Sequence, residues 1–330
     1  MSEDILEVKN LKKWFAVRRS FKDVIKRKRN WVKAVDGISF KIKRGEIFGL
    51  IGESGCGKTT TGKLIMKLLD VTDGQIIFRG EDVTELPKEK IREYKRDVQM
   101  IFQDPYASMN PRFRIRDVLT EPLEIHGLKR SSEEREEVAA QALEDVKLTP
   151  PQEFMGRYSH MLSGGQRQRA ATARNLILNP SFIVADEPVS MVDLSTRAEI
   201  LAMLKEVQRN KNLTYLYITH DLSTARYFTD RIAVMYLGKI VEMAKSGDLI
   251  DKRYHPYTKA LIAAVNEPVS GNQNKIKKLP IKGEIPSASN IPAGCRFHPR
   301  CVKARPECKR GNDPQLKEID DGHFVACHLI

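Results

Sequence analysis

Short apolar runs and longer segments of helical spacing alternate along the chain. Four largely apolar runs of four or five residues have the length of buried strands; they are 47–51, 98–102, 182–185 and 215–219. Three segments repeat their apolar residues with helical spacing or have a helix-forming composition; they are 62–69, 133–146 and 166–176. This arrangement predicts an α/β fold.

A glycine-rich loop connects the strand at 47–51 to the helix at 62–69. Its sequence, GESGCGKTT, matches the G-x-x-x-x-G-K-[ST] pattern in the strand–loop–helix context that a phosphate-binding loop requires. Glycines allow successive backbone N–H groups to face bound phosphates. We expect Lys58 to reach the β- and γ-phosphates of a nucleotide and the Thr59 hydroxyl to bind Mg²⁺, with Cys56 a small filler. The predicted nucleotide-binding residues of the loop are Gly52, Glu53, Ser54, Gly55, Cys56, Gly57, Lys58, Thr59 and Thr60.

Two further apolar runs end in residues suited to hydrolysis. Asp186 and Glu187 follow the run at 182–185, where Asp186 can hold Mg²⁺ and Glu187 can act as the general base on water. His220 follows the run at 215–219, and we expect it to contact the γ-phosphate or to orient the attacking water. Together with the glycine-rich loop, these residues predict ATP hydrolysis.

The sequence Leu162-Ser-Gly-Gly-Gln166 narrows the class of ATPase. It lies upstream of Asp186 and opens a helix for which Ser163 is a polar cap. With this element, the chain resembles the nucleotide-binding subunit of an ABC transporter. The resemblance implies a P-loop NTPase cassette with a RecA-like core, an antiparallel β subdomain and an α-helical subdomain at about residues 104–175.

The resemblance also implies roles for residues outside the glycine-rich loop. Ser163, Gly164, Gly165 and Gln166 would contact the ATP held by an opposing subunit, and Asp193 would link the two sites. Gln103 would contact Mg²⁺ or water. Phe15 stands where an aromatic ring stacks on adenine, although Trp14 is an alternative. The dipeptide Met191-Val192 differs from the residues that usually precede this aspartate in the family.

Charge and composition leave other partners open at this point. The formal charge of +13 suits nucleic acid or an anionic membrane surface, and many of the cations lie between Arg18 and Lys33, which could equally be a solvated basic loop. No apolar run approaches the ~18 residues that cross a bilayer. The acidic first residues are unlike a secretory signal, so we expect a cytosolic protein.

Four of the five cysteines crowd the C-terminal tail. Cys295, Cys301, Cys308 and Cys327 are separated by five, six and eighteen residues, and a cytosolic location argues against two disulfides. Four thiolates can hold zinc or an iron–sulfur cluster, and free thiols remain an alternative. The tail, with its HPYTK and HPRC sequences, resembles that of the oligopeptide/dipeptide branch of ABC importers, which implies a [4Fe-4S] cluster.

The resemblance to this branch defines the expected organisation and function. We expect an ABC ATPase domain at 1–265, a small cysteine-bearing extension at 266–330, and the second, F-type, ATPase subunit of a peptide importer. Its partners would be a second ATP-binding subunit, in a hetero- or homodimer, two transmembrane permease subunits and, through them, an extracytoplasmic solute-binding protein. Uptake of oligosaccharides or nickel, and a soluble ABC ATPase acting on nucleic acid, are the alternatives; we expect no nucleic-acid partner.

Overall fold

The structure, a computed structural model, describes residues 3–17, 31–128, 131–265 and 280–330. The chain divides into two compact units. The first contains Met1–Ile5, Ile42–Ile47 and Glu85–Ile218, and the second contains Leu6–Lys41, Phe48–Thr84 and Thr219–Ile330. Within the described ranges, no helix combines the length and the apolar character needed to cross a membrane.

The secondary structure follows the predicted alternation of strands and helices. The described strands are β1 (Asp4–Ala16), β2 (Trp31–Lys43), β3 (Ile47–Ile51), β4 (Asp73–Phe78), β5 (Glu81–Asp82), β6 (Val98–Ile101), β7 (Phe182–Asp186), β8 (Thr214–Thr219), β9 (Arg231–Tyr236), β10 (Lys239–Lys245), β11 (Lys317–Asp320) and β12 (His323–Val325). The described helices are α1 (Lys58–Ile65), α2 (Lys88–Asp97), α3 (Pro105–Ser108), α4 (Ile115–Ile125), α5 (Ser132–Asp145), α6 (Pro151–Met155), α7 (Gly164–Leu176), α8 (Leu194–Lys211), α9 (Leu222–Phe228), α10 (Ser246–Asp251) and α11 (Pro256–Val265).

The first unit contains three parallel strands. β6 pairs with β7 and β7 pairs with β8, with Val98 opposite Phe182 and Phe182 opposite Thr214. Every residue of β7 and β8 is buried, as expected of parallel strands covered on both faces. Because the strands are parallel, their carboxyl ends lie at one edge, where Asp186 ends β7.

Helices α4 to α7 pack against one another in the first unit. A capping box starts α5: the Ser131 hydroxyl accepts from the Glu134 N–H (3.1 Å) and the Glu134 carboxylate accepts from the Ser131 N–H (2.8 Å). The buried residues of α5 are Ala139, Ala142 and Leu143. The helix predicted at 133–146 is therefore present, and the region 104–175 is rich in helices as expected.

The second unit contains two sheets. β1, β2, β4 and β5 form a sheet in the order β2-β1-β4-β5, with antiparallel pairing of β1 to β4 and of β4 to β5. This sheet agrees with the antiparallel subdomain expected of a cassette. In the other sheet, β3 pairs parallel with β9, and β10 continues it antiparallel to β9.

The C-terminal tail extends the second sheet. β12 pairs with β10, with Glu242 opposite Val325, and β11 forms a hairpin with β12. Glu242 is fully buried and accepts hydrogen bonds from the Tyr254 and His255 N–H groups (2.8 and 3.0 Å), and the His323 ring lies 2.8 Å from the same carboxylate. Residues 280–330 thus pack within the second unit. The start of the predicted extension, at 266–279, and most of the basic segment 18–33 lie outside the described residues.

Candidate functional site

The phosphate loop follows β3 and passes close to neighbouring backbone. A Cβ atom at Gly57 would lie 2.1 Å from the Ala34 carbonyl oxygen, and one at Gly52 would lie 2.2 Å from the Met235 carbonyl oxygen. Gly57 also has a φ of 112°, in the region that favours glycine. Side chains at these two positions would force the backbone apart, so the glycines are required by the fold of the loop.

Lys58 begins α1 and turns back over the loop. Its ammonium group donates to the carbonyl oxygens of Gly52 (2.7 Å) and Glu53 (3.0 Å), and the residue is 5 % exposed. Burial raises the pKa of the nearby Cys56 thiol, and the Lys58 ammonium lowers it in part. Cys56 is thus a buried thiol close to the Lys58 ammonium group. Other loop residues are at least partly accessible; they are Glu53, Ser54, Gly55, Thr59 and Thr60.

The candidate hydrolytic residues of the first unit meet at the end of β7. Asp186 is 5 % exposed, and Glu187 follows it with a φ of 47°, which is unusual for a residue with a side chain. The Gln103 amide donates to the Glu187 carboxylate (3.2 Å). The structure therefore brings together Gln103 and Glu187, which are separated by 84 positions in the sequence.

Hydrogen bonds hold the backbone of Glu187 in this conformation. The Glu187 N–H donates to the Ile218 carbonyl oxygen (2.9 Å), and its own carbonyl accepts from the N–H and the hydroxyl of Ser190 (3.1 and 3.0 Å). His220 belongs to the second unit, where it directly follows β8 and is exposed. Asp221, the next residue, caps α9 by accepting from the Ser223 N–H (2.8 Å).

The sequence LSGGQ forms the start of α7 through a capping box. The Ser163 hydroxyl accepts from the Gln166 N–H (3.3 Å), and the Gln166 side-chain oxygen accepts from the Ser163 N–H (3.1 Å). The exposed N-terminus of the helix, with its free N–H groups, is the arrangement that binds anions. Ser163 thus shapes a surface suited to a phosphate group.

Asp193 caps the neighbouring helix and lies beside the LSGGQ residues. Its carboxylate accepts from the Thr196 N–H (3.1 Å) at the start of α8. Hydrogen bonds from the Thr196 side chain and, next, from its backbone N–H lower the pKa of Asp193. A Cβ atom at Gly165 would lie 2.5 Å from the Thr196 methyl group, whereas one at Gly164 would have no heavy atom within 4 Å. Gly165 is therefore needed for close packing of α7 on α8.

Arg167 is a residue of this region that sequence reasoning missed. It is 3 % exposed, donates to the carbonyl oxygens of Ser159 and Leu162 (both 2.8 Å), and lies 3.7 Å from the centre of the Tyr106 ring. It joins the LSGGQ residues to the segment that follows Gln103. The only sequence signal was an arginine inside a helix, which is normally a surface residue.

Trp14 and Phe15 differ in their freedom to stack on a base. The Trp14 indole N–H donates to the Asp36 carboxylate (2.8 Å), and the Lys33 ammonium lies 4.5 Å from the centre of its ring. Phe15 is 38 % exposed, with the Lys13 ammonium 5.3 Å from its ring centre. The more accessible aromatic ring is Phe15.

The four tail cysteines are free thiols in one neighbourhood. Burial raises the pKa of Cys295 to about 12, and the nearby thiols of Cys327 and Cys308 add to the rise. Burial likewise raises the pKa values of Cys301 and Cys327. Nevertheless, the described ranges contain no group of three or more histidine, cysteine or acidic side chains arranged to hold a metal. The arrangement of the thiols does not fit a zinc ion or a [4Fe-4S] cluster as it stands.

Comparisons with known proteins identify the family of the chain. The ABC transporter family profile matches residues 35–190, and the profile of the oligopeptide/dipeptide transporter C-terminal region matches residues 241–308. The chain is 47 % identical to the oligopeptide transport ATP-binding protein AppF of Bacillus subtilis over 99 % of this chain and 98 % of that protein. It is 42 % identical to OppF of the same organism over 99 % of this chain and 97 % of that protein.

Solved structures show the same fold. A dimeric ATP-binding cassette, MJ0796 with bound ADP and Pi, superposes with a TM-score of 0.63 and 28 % identity, over 73 % of this chain and 98 % of that chain. CbiO1 of Clostridium perfringens superposes with a TM-score of 0.65 over 76 % of this chain and 92 % of that chain; at 23 % identity it supports the fold alone. The predicted cassette fold is confirmed. The chain therefore belongs to the ATP-binding subunits of the oligopeptide/dipeptide ABC transporters.

Proposed function

We propose that this chain is the ATP-hydrolysing motor of a peptide importer and that it acts at the cytoplasmic face of the membrane. The observation that carries the catalytic part is the Gln103 amide beside the Glu187 carboxylate (3.2 Å) at the end of a buried strand. A carboxylate held in this way can accept a proton from a water molecule. The names of the relatives support peptide as the cargo.

Nucleotide binding is assigned to the phosphate loop. The loop backbone and Lys58 would hold the phosphates of ATP, and Phe15 would stack on adenine. Thr59, Gln103 and Asp186 offer hydroxyl, amide and carboxylate oxygens, the donor atoms that Mg²⁺ prefers. Mg²⁺ would neutralise charge on the phosphates. The buried position of Asp186 at a strand end suits a carboxylate whose charge is balanced by a cation.

Glu187 and His220 are assigned to hydrolysis. Glu187 would take the proton from the attacking water at its carboxylate, while the Gln103 amide keeps that carboxylate in place. The His220 ring, exposed directly after β8, would contact the γ-phosphate or orient the water. The left-handed φ of Glu187, 47°, aims its side chain differently from a regular strand residue, which is typical of functional positions.

The LSGGQ residues and Asp193 are assigned to a partner's ATP. Ser163, Gly164, Gly165 and Gln166 form the start of helix α7, where Ser163 and Gln166 make a capping box. We propose that they close over ATP held by a second ATP-binding subunit, and that the pair moves two permease subunits that receive substrate from a solute-binding protein. The dimeric cassette among the similar structures supports this arrangement.

The tail cysteines are candidate ligands of an iron–sulfur cluster. The spacing of Cys295, Cys301, Cys308 and Cys327 supports a shared ligand, whereas their arrangement within the described residues is not one that holds metal. Iron–sulfur clusters absorb at about 400 nm through charge transfer. Absorption at this wavelength in anaerobically purified protein therefore indicates a cluster. A colourless protein with bound zinc, or with four titratable thiols, contradicts it.

Peptide transport by the assembled complex tests the proposal. The chain, a partner ATPase and the two permeases are reconstituted in vesicles with the solute-binding protein, and uptake of a labelled tripeptide, a labelled oligosaccharide and nickel is measured. We expect ATP-dependent uptake of the peptide, lost in a Lys58→Ala variant. Uptake of the oligosaccharide or nickel instead contradicts the assignment of cargo, and uptake that survives Lys58→Ala contradicts the assignment of the ATP site.

A further inference from the structure

Three groups of Glu53, the second residue of the phosphate loop, make hydrogen bonds. Its carboxylate accepts two hydrogen bonds from Arg300, its N–H donates to the Tyr257 hydroxyl (3.0 Å), and its carbonyl accepts from the Lys58 ammonium (3.0 Å). Two of these partners, Arg300 and Tyr257, lie more than 200 residues away in the sequence. The start of the loop is thus fixed from outside the loop.

The contact between Arg300 and Glu53 has the geometry of a strong ion pair. The two terminal nitrogens of Arg300 meet the two carboxylate oxygens at 2.6 and 2.9 Å, in the paired arrangement that only a guanidinium can make. The Arg300 side chain is 6 % exposed. The hydrogen bonds to Glu53 raise the pKa of the guanidinium further, so the arginine is always charged.

A buried aromatic cluster fixes the position of Arg300. Phe297, 1 % exposed, packs its ring against those of Tyr236 and Tyr257, each with a centre 5.3 Å away. The N–H of Arg300 donates to the Phe297 carbonyl oxygen (3.0 Å), which closes a turn at 295–301. Tyr257 therefore contributes both its ring to the cluster and its hydroxyl to Glu53.

The turn 295–301 also contacts Leu237, which lies next to a residue that is hydrogen-bonded to the phosphate loop. Arg296 donates to the Leu237 carbonyl oxygen (2.5 Å) and pairs with Asp36. Gly238, the residue after Leu237, donates its N–H to the Cys56 carbonyl oxygen (2.9 Å). The turn 295–301 is therefore linked to the loop at Glu53 directly and at Cys56 through one intermediate segment.

We propose that the turn 295–301 and helix α11 position the phosphate loop, with Arg300 of the turn and Tyr257 of the helix as the two positioning residues. They keep Glu53 in the conformation in which the carbonyl oxygens of Gly52 and Glu53 hold the Lys58 ammonium ready for phosphate. A loop that is already ordered loses less conformational entropy when ATP binds. The cysteine-bearing tail thus sets the affinity of the ATP site; this inference rests on the proposed role of the loop.

Nucleotide affinity of the full-length chain tests the inference. Binding of a fluorescent trinitrophenyl ATP is measured alongside thermal unfolding. For Arg300→Ala we expect about tenfold weaker binding, which corresponds to about 1.4 kcal/mol. Arg300→Lys should recover part of the loss, because a single ammonium cannot make both hydrogen bonds. Tyr257→Phe removes one oxygen atom from a retained ring, and we expect it to weaken binding by about threefold.

Two comparisons separate positioning from general damage. Arg305→Ala removes an arginine of the same tail that is 68 % exposed, and it should leave affinity unchanged. Combining Glu53→Gln with Arg300→Ala should weaken nucleotide binding no more than Arg300→Ala alone, because both substitutions remove the same ion pair. In steady-state hydrolysis we expect KM to rise while kcat stays within about twofold.

Several results would overturn the inference. Unchanged affinity in Tyr257→Phe, together with unchanged affinity or an unfolded protein in Arg300→Ala, excludes a positioning role. So do additive losses in the Glu53→Gln and Arg300→Ala double variant. Lys58→Ala serves as the reference: normal binding in that variant means that the proposed ATP site is wrong, whereas lost binding there with normal binding in Tyr257→Phe contradicts this inference alone.

Discussion

Glu187 illustrates how much of the chemistry depends on a single residue's surroundings. A residue with a side chain in the left-handed region costs of order 1–2 kcal/mol. Glu187 adopts this conformation, with a φ of 47°, because its N–H and carbonyl are both hydrogen-bonded, to Ile218 and Ser190. The free energy of these contacts stabilises the strained backbone, and the Glu187 carboxylate accepts from the Gln103 amide.

Asp36 supports the clearest stability prediction for a single residue. Its carboxylate, 10 % exposed, pairs with Arg296 and accepts from the Trp14 indole. Burial acts to raise the pKa of Asp36, but Arg296, Lys33 and Trp14 outweigh it, so the pKa lies below the ordinary value of 3.8. We expect Asp36→Asn to lower the free energy of unfolding by about 1–3 kcal/mol at neutral pH, because Arg296 loses one of its two carboxylate partners and keeps the other, Asp313.

The pH dependence of this loss has a definite sign. A carboxylate whose pKa is lowered in the folded state stabilises the protein above its unfolded value of 3.8, and this contribution disappears as pH falls through the folded-state pKa. The wild type and Asp36→Asn should therefore converge in acid, as measured by urea unfolding. Asp321→Asn, at a fully exposed side chain, is the control. A difference that persists unchanged in acid contradicts the prediction.

The sequence predicts candidate residues for the chemistry, but it does not indicate which residues hold them in place. Lys58, Asp186 and Ser163 could be named because each belongs to a short pattern whose spacing has a physical reason. The ion pairs of Asp36 with Arg296 and of Glu53 with Arg300 could not, because 260 and 247 positions separate the partners. Charged residues are usually exposed, so a buried pair leaves no local signal.

Among the secondary-structure elements, helices with capping boxes were the most predictable. Ser131 and Glu134 start α5, and Ser163 and Gln166 start α7, each with a side chain and a backbone group bonded in both directions. Such signals are local, so they can be seen without knowing the fold. The helix predicted at 133–146 from its amphipathic spacing differs from Ser132–Asp145 by one residue at each end.

The two glycines of LSGGQ give a prediction about the packing of α7. Gly165→Ala should lower the free energy of unfolding by about 1–3 kcal/mol, because its methyl group would lie 2.5 Å from that of Thr196 on α8. Gly164→Ala is the matched control, since the space around Gly164 is open, and its change should stay within about 0.5 kcal/mol. Equal losses in urea unfolding would show that α7 does not pack on α8 in this way.

Short strands were the least predictable elements. β11 and β12 have four and three residues, and they join the sheet only through β10, more than 70 positions earlier in the chain. Nothing in their composition identifies them, because strands this short have no measurable period. The tail was predicted as a small cysteine-bearing extension, and its described residues pair with β10.

At the scale of the whole molecule, the role proposed for the LSGGQ residues gives a prediction about association with the partner ATPase. With hydrolysis slowed by Glu187→Gln, we expect ATP to drive association with the partner ATPase, measured by sedimentation velocity. Adding Ser163→Ala should weaken that association by about tenfold, since it removes a contact to phosphate.

A matched variant separates the effect of losing the helix cap from the effect of losing the proposed contact to phosphate. Ser131→Ala removes the same kind of capping box from α5, and each variant should lose about 1 kcal/mol of stability. Only Ser163→Ala should weaken ATP-driven association. If Ser131→Ala weakens it equally, the effect comes from stability, and the LSGGQ residues do not serve a partner's ATP.

Family-level organisation was predictable, whereas the boundaries of compact units were not. The order of the motifs identified the cassette, which both the family profiles and the similar structures confirm. The tail residues 280–330 nevertheless lie in one compact unit with the phosphate loop. This grouping depends on long-range packing of residues such as Phe297, whose partners the sequence does not reveal.

The central claim is that Glu187 is the base in ATP hydrolysis by an intact site. Phosphate release by the assembled transporter containing Glu187→Gln measures this most directly, with bound ATP determined in the same samples. We predict a fall in the rate of at least about a hundredfold with ATP still bound, because the amide cannot accept the proton from water. Hydrolysis at the wild-type rate would contradict the account.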